Sequence, residues 1–221
     1  MENNVNSLKK NARLAGLWYL IWVITGIYGT IYIPSQIFVK GDIAATANNM
    51  LSHEFLFRVG IVNDLFGSII GVFLILALYR LLKQVNECRA ILMVMLLIIT
   101  GPVVFITEAF NITSLMILKG DILKTFELNQ KQDIAMLFLK INDYGVLSLE
   151  MFWGLWLIPF GQLVYKSGFI PRILGIFLLL NGVAYIIHCL TALLFPNHQA
   201  FITQFTMPFW ILGEISITLW L

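Results

Sequence analysis

Residues 57–82 read FRVGIVNDLFGSIIGVFLILALYRLL, a run whose charged side chains are Arg58, Asp64 and Arg80 alone. A helix needs about 20 mostly apolar residues to cross about 30 Å of hydrocarbon, so the run reads as a membrane span. Within it Gly60, Asp64, Gly67, Ser68 and Gly71 recur at three- and four-residue spacing. That spacing lays small and polar groups in one stripe along a helix, and such a stripe faces protein rather than lipid.

Further runs of the same character flank it at about Arg13 to Phe38, Ala90 to Met116, Ile141 to Tyr165, Ile170 to Phe195 and Phe205 to Leu221. Little remains besides short connectors. Backbone polar groups in lipid must be bonded within their own segment, so the expected fold is all-α, a transmembrane bundle of six spans forming one domain over residues 1–221. Composition agrees: of 221 residues 59% are hydrophobic and 12% charged, and the mean hydropathy is +0.87. Soluble domains carry about a quarter charged residues, so the lipid bilayer is the expected partner of most of this surface. A net charge of +2 is too small for a disordered chain or a nucleic-acid binder, and two cysteines are too few for a disulfide scaffold.

The first run follows Lys9, Lys10 and Arg13 but is too long for a signal peptide and is closed by no small-x-small cleavage site. The last run ends at Leu221 with no basic residue after Trp220, so either the helix stops at the inner interface or the chain is cut there, and the second is expected. With the N-terminus inside, the inner segments carry Lys9, Lys10, Arg13, Arg80, Lys83, Arg89, Lys166 and Arg172 with few acids among them. Basic residues on the other face are offset by acids, so the N-terminus is expected in the cytoplasm. Two outer connectors are amphipathic, one around Ile43, Ala47 and Leu51, the other leading through Ile134, Leu137 and Phe138 into the fourth span with Asn129 as N-cap. Both are expected as short interfacial helices, ordinary loops being the alternative. Cys88 and Cys189 fall too far apart to pair, and neither has a partner at zinc-site spacing. Trp18, Tyr19, Trp22, Trp153, Trp156, Trp210 and Trp220 suit interfacial belts and helix packing.

Burying a charge in hydrocarbon is costly, so intramembrane acids and histidines are the informative residues. They are Asp64, Glu108, Glu150, His188 and Glu214, one in each of spans two to six. Counted from the nearer outer end of its span, each lies about 10 to 14 Å deep at 1.5 Å per residue. Alternate spans run in opposite directions, so a common depth requires polar positions early in even spans and late in odd ones, as found here. The stripes agree: Asp143, Leu147, Glu150, Gly154 and Gly161 in span four, Asn181, Tyr185 and His188 in span five, Glu108 and Asn111 in span three, Glu214 and Thr218 in span six. Arg58 lies about 9 Å along the helix above Asp64, and its stem is long enough to reach an acid. Four carboxyls in low dielectric cannot all ionise unaided; some must be protonated, paired with Arg58 or His188, or bound to a cation.

Four stretches carry a resemblance: Arg13-Leu-Ala-Gly-Leu-Trp-Tyr-Leu-Ile21, Phe57-Arg-Val-Gly-Ile-Val-Asn-Asp64, Leu163-Val-Tyr-Lys-Ser-Gly-Phe-Ile-Pro-Arg-Ile-Leu-Gly175 and Leu212-Gly-Glu-Ile-Ser-Ile-Thr-Leu-Trp220. Together they resemble the bacterial membrane family called domain of unknown function 4386, over nearly the whole chain. Arg58, Asp64 and Glu214 sit in stretches that match its pattern. The resemblance implies a bacterial inner-membrane protein of about six spans and supplies no activity.

Three functions remain open. The first is a binding or transport protein whose outer-half pocket takes a cation, proton or small polar or cationic ligand at Asp64, Glu108, Glu150, His188, Glu214 and Arg58. The second is a membrane-embedded hydrolase using a metal or a carboxylate with His188 to activate water. The third is a structural or partner subunit whose polar cluster fixes helix register. No cofactor is specified by any of them.

Overall fold

A computed structural model describes residues 2–221, with side chains from Leu8 onward. Its helices are α1 (Glu2–Ile27), a π-helical turn (Tyr28–Tyr32), α2 (Ile33–Ile37), α3 (Ile43–Ser52), α4 (Glu54–Leu82), α5 (Glu87–Ile98), α6 (Thr100–Lys119), α7 (Leu128–Lys166), α8 (Arg172–Leu194), a 3-10 turn (Pro196–His198) and α9 (Gln199–Trp220). Grouped end to end they give six helices long and apolar enough to cross a membrane, so the chain is an all-α, multi-pass membrane protein.

Prolines explain where spans are interrupted. Pro34 has no N–H for the carbonyl of Thr30, and the chain there relaxes into the π turn, with the Ile33 N–H reaching back to Tyr28. Pro102 cannot serve the carbonyl of Ile98, and the third span accordingly divides into α5 and α6. At the turn after α7, Gly168 adopts φ +74°, a conformation that favours glycine. Ser167 Oγ closes that turn, donating to the Val164 carbonyl at 2.8 Å and accepting from the Ile170 N–H at 3.1 Å, before Pro171 leads into α8.

Packing divides the chain into two compact units. The first comprises Met1–Val23, Ile69–Gly101 and Leu147–Leu221. Its core holds Tyr19, Leu74, Leu78, Met93, Trp156 and Phe160, with the Trp156 and Phe160 rings stacked at 5.3 Å. Tyr19 and Trp156 thus belong to the packed interior rather than to a belt. In this unit α7 and α8 run antiparallel and meet through four glycines. A Cβ on Gly154 would lie 2.6 Å from the Gly182 carbonyl oxygen, and one on Gly182 would lie 2.8 Å from that of Gly154. Gly161 and Gly175 repeat the reciprocal contact at 2.8 and 2.7 Å, one heptad further along each helix. Only glycine permits this backbone approach.

The second unit comprises Ile24–Ser68 and Pro102–Val146. Ile33, Ile37, Ala47, Met50, Phe57, Leu115 and Leu139 form its core. The first connector is indeed helical: α3 is capped by Asp42, whose carboxylate accepts from the Ala45 N–H at 2.8 Å. It packs through Thr46, Ala47 and Met50 while Ile43 and Leu51 stay exposed. The second connector differs from expectation. Its amphipathic stretch is continuous with the fourth span, and α7 starts at Leu128, so Asn129 lies inside the helix. The Gln130 side chain accepts from the Glu127 N–H at 3.0 Å and satisfies the helix start instead.

Large apolar side chains remain exposed in both units, among them Met95, Leu194 and Leu219 in the first and Ile31, Phe55 and Ile106 in the second. In water such surfaces would drive association; acyl chains accept them without cost.

Candidate functional site

Three of the six sequence-derived positions, Glu150, His188 and Glu214, belong to the first unit; Arg58, Asp64 and Glu108 belong to the second. In the first unit the glycine contact of α7 with α8 sets the geometry. Four residues before Gly154 and six after Gly182, where the helices are still close, Glu150 Oε2 stands 2.6 Å from His188 Nδ1. Both groups are nearly enclosed, with side-chain exposures of 14% and 7%. The other ring nitrogen, Nε2, lies 3.0 Å from Thr203 Oγ1 on α9. Trp210 packs edge-on against the imidazole with ring centroids 5.0 Å apart.

Hydrogen-bond bookkeeping gives a consistent set of protons with Thr203 bonded to Gln199. Thr203 Oγ1 donates its single hydrogen to the Gln199 carbonyl at 2.8 Å, so toward His188 it accepts, and Nε2 carries a hydrogen. One proton is then left for the 2.6 Å contact between Nδ1 and Glu150. Whether it resides on nitrogen or on oxygen, the pair is neutral overall. A neutral pair is the form a low-dielectric interior tolerates, and adding or removing one proton leaves an uncompensated charge there.

Three turns along α9 from Thr203 sits Glu214, which accepts from Tyr185 Oη at 3.3 Å. Tyr185 stacks on Trp210 at 5.0 Å and meets Trp153 edge-on at 6.0 Å. Thr218, read with Glu214 as one stripe, turns its hydroxyl back to the Glu214 carbonyl and takes no part.

In the second unit Asn63 organises Asp64: its Nδ2 donates to the Thr25 carbonyl at 2.9 Å and to Asp64 Oδ1 at 3.0 Å. Gly29, in the π turn, leaves the room that Asp64 Oδ1 occupies. Glu108 is buried and accepts from Asn111 Nδ2 at 2.9 Å. Next to it Asn142 donates to the Thr107 carbonyl at 2.9 Å. Asp64 and Glu108 lie within electrostatic range of one another. Arg58 does not turn toward Asp64. Its Nε pairs with Glu54 Oε1 at 2.8 Å, one turn the other way, and Lys119 joins the same carboxylate at 2.9 Å. Asp143 is likewise outside the stripe assigned to it, exposed and facing Lys140 at 4.0 Å.

Among the described residues no group of three His, Cys, Asp or Glu side chains could hold a metal ion. The arrangement suits proton exchange and hydrogen bonding. Sequence reasoning misses Thr203 because it starts the sixth span at Phe205. The signal is present: Thr203 precedes Glu214 by eleven residues, three helical turns, and so shares its face. Gly175 and Gly182 carry a comparable signal, seven residues apart and matching Gly154 and Gly161.

No solved structure matches this chain. A protein of Archaeoglobus fulgidus, described only as uncharacterized, is 30% identical over 162 residues, covering 70% of this chain and 81% of its own. The family described as Domain of unknown function (DUF4386) matches residues 14–221, and this chain of six membrane-spanning helices belongs to it.

Proposed function

We propose that this protein binds and exchanges protons within the membrane, with the buried carboxyls and imidazole as acceptors. In this reading it resides in the inner membrane of a bacterium with its N-terminus in the cytoplasm and lipid around it. The observation that carries the reading is the hydrogen-bonded chain from Glu150 through His188 to Thr203. It holds a single shared proton in a neutral pair, and its Nε2 end is reached through a half-buried hydroxyl. A small cationic or polar ligand that replaces a proton at Asp64, Glu108 or Glu214 belongs to the same chemistry.

The test is proton flux in vesicles loaded with a pH-sensitive dye under an imposed potassium diffusion potential. The wild-type protein is expected to exceed protein-free vesicles, and Glu150→Gln and His188→Gln to return to the protein-free rate. Equal fluxes for wild type and Glu150→Gln refute the reading.

One observation favours a second reading. The order carboxylate, Nδ1, Nε2, hydroxyl is that of a nucleophile with its base and orienting acid, which points to a hydrolase or acyl-transfer enzyme with Thr203 attacking. For this the imidazole would have to carry its hydrogen on Nδ1 toward a Glu150 carboxylate and leave Nε2 free, and the Thr203 hydroxyl would have to turn from Gln199 to Nε2. Labelling of Thr203 by a fluorophosphonate, lost in His188→Gln, would decide for the enzyme.

A further inference from the structure

Among the described residues, three side chains of the first unit carry buried polar atoms with no hydrogen-bond partner: Tyr19 Oη, both amide atoms of Asn181, and Trp210 Nε1. Tyr19 and Asn181 are fully enclosed. Buried groups of this kind are costly to leave unpaired and are ordinarily matched by protein or by ordered water. These three gather about one residue. The Asn181 amide packs against Gly213, 2.7 Å from where a Cβ would stand, and approaches the neighbouring Glu214 carboxyl without making a well-formed bond to it. Tyr19 and Tyr185 are both within electrostatic range of Glu214. Trp210 lies one turn before Glu214 on α9 and stacks on Tyr185.

We infer that Tyr19, Asn181 and Trp210 bind ordered water beside Glu214, and that this water continues the polar chain that starts at Thr203. The donor inventory selects the ligand. Trp210 Nε1 and Asn181 Nδ2 can only donate, so a cation held by Asn181 Oδ1, Tyr19 Oη and Glu214 would leave both donors unpaired, and an anion would face the Glu214 carboxyl. One water can accept from two of the three donors, indole, amide and phenol, and donate to Asn181 Oδ1 and Glu214, so two waters satisfy every unpaired atom. Along α8, Asn181, Tyr185 and His188 fall on one face within about 10 Å, and along α9 the path from Thr203 to Glu214 covers about 16 Å, half the hydrocarbon thickness. Tyr185 stands between the two acids, within range of both Glu150 and Glu214. The water therefore gives Glu214 a polar contact beside the one it already accepts from Tyr185. Its place in a proton path rests on the function proposed above; the water site itself does not.

The experiment uses the full chain in lipid nanodiscs, labelled with 15N at asparagine, to record magnetisation transfer from water to side-chain amide protons. The Asn181 signal is assigned by its loss in Asn181→Leu. Thermal unfolding of Tyr19→Phe is measured alongside, since that change removes one oxygen and leaves the ring in place. The expected results are a water cross-peak at the Asn181 amide and a melting temperature below wild type, because losing the phenol oxygen deprives the water of a partner. An absent cross-peak overturns the inference. A melting temperature above wild type also overturns it, because an unpaired hydroxyl has then been relieved. A wild-type vesicle flux no faster than that of protein-free vesicles, with the cross-peak intact, sinks the proton reading alone.

Discussion

Gly154→Ala tests how the fold positions the glutamate–histidine pair. The added methyl would stand 2.6 Å from the Gly182 oxygen and 2.7 Å from Ile186 Cγ1. An ordinary carbon-to-oxygen contact is about 3.3 Å, so α7 and α8 must part locally by about 0.7 Å. The neighbours are backbone on one side and a packed branched side chain on the other, and neither can swing aside. Overpacking of this kind costs about 1–3 kcal/mol, and the better helix propensity of alanine returns about 0.5–1 kcal/mol, for a net loss of about 1–2 kcal/mol. Parting the helices one turn from Glu150 also stretches its 2.6 Å contact with His188 toward about 3.3 Å, beyond the usual hydrogen-bond range. The assay is thermal unfolding in mild detergent together with 15N spectra of the imidazole. Gly26→Ala is the control, because nothing lies within 4 Å of a Cβ there. Gly26→Ala should melt at or slightly above wild type while Gly154→Ala melts below it and shifts the His188 Nδ1 signal. Should Gly154→Ala match the control in both, the glycine contact does not hold the pair.

Gly29→Ala drives a methyl into Asp64 Oδ1 and should destabilise the protein; adding Asp64→Ala should restore much of the loss, a non-additive pair in a double-mutant cycle of melting temperatures. Thr203→Val removes the oxygen that accepts from His188 Nε2, and should lower stability by about 1–3 kcal/mol and reduce vesicle proton flux, because a buried N–H loses its partner. Asp64→Asn and Glu214→Gln keep shape and remove charge: unchanged melting with lost flux supports a functional role, whereas failure to fold supports a purely structural one. Glu54→Gln disconnects Arg58 and Lys119 at a partly exposed site and should leave melting within experimental scatter, as surface ion pairs contribute little.

The six spans are legible because their signal is a sum over some twenty residues each, which single exceptions cannot erase. Span interruptions are less so. Pro34 and Pro102 stand in plain view, yet whether a missing N–H bends, splits or merely loosens a helix depends on what packs beside it. Among candidate site residues, the acids and His188 stand out by the cost of burying them, and Glu150 with His188 meet because both lie within two turns of paired glycines. Arg58 misleads for a local reason. Reach alone allows Asp64, but Glu54 lies one helical turn away and nearer water, where a guanidinium stays better solvated. Thr203 escapes notice and Tyr19 is read only as a packing or belt aromatic, because hydroxyls are unremarkable in apolar sequence; only their surroundings, an imidazole for one and unpaired burial for the other, give them meaning.

The same glycines that allow the close approach also limit what the site can do. Each glycine lies so near the opposing carbonyl that an added Cβ would stand only 2.6–2.8 Å from it, so α7 and α8 have little room to move toward each other, and any motion that opens the pair must separate them. Access to Glu150 and His188 is therefore controlled from α9, which supplies Thr203 on one side of the imidazole and Trp210 on its edge. Replacing Trp210 with Ala separates these roles. Losing the ring should widen access to His188 while leaving the Glu150 contact and the glycine packing intact. Faster hydrogen exchange at the imidazole with Nδ1 unshifted is the expected outcome. An Nδ1 shift equal to that of Gly154→Ala would show instead that α9 helps to press the pair together, and the control assigned to it would be wrong.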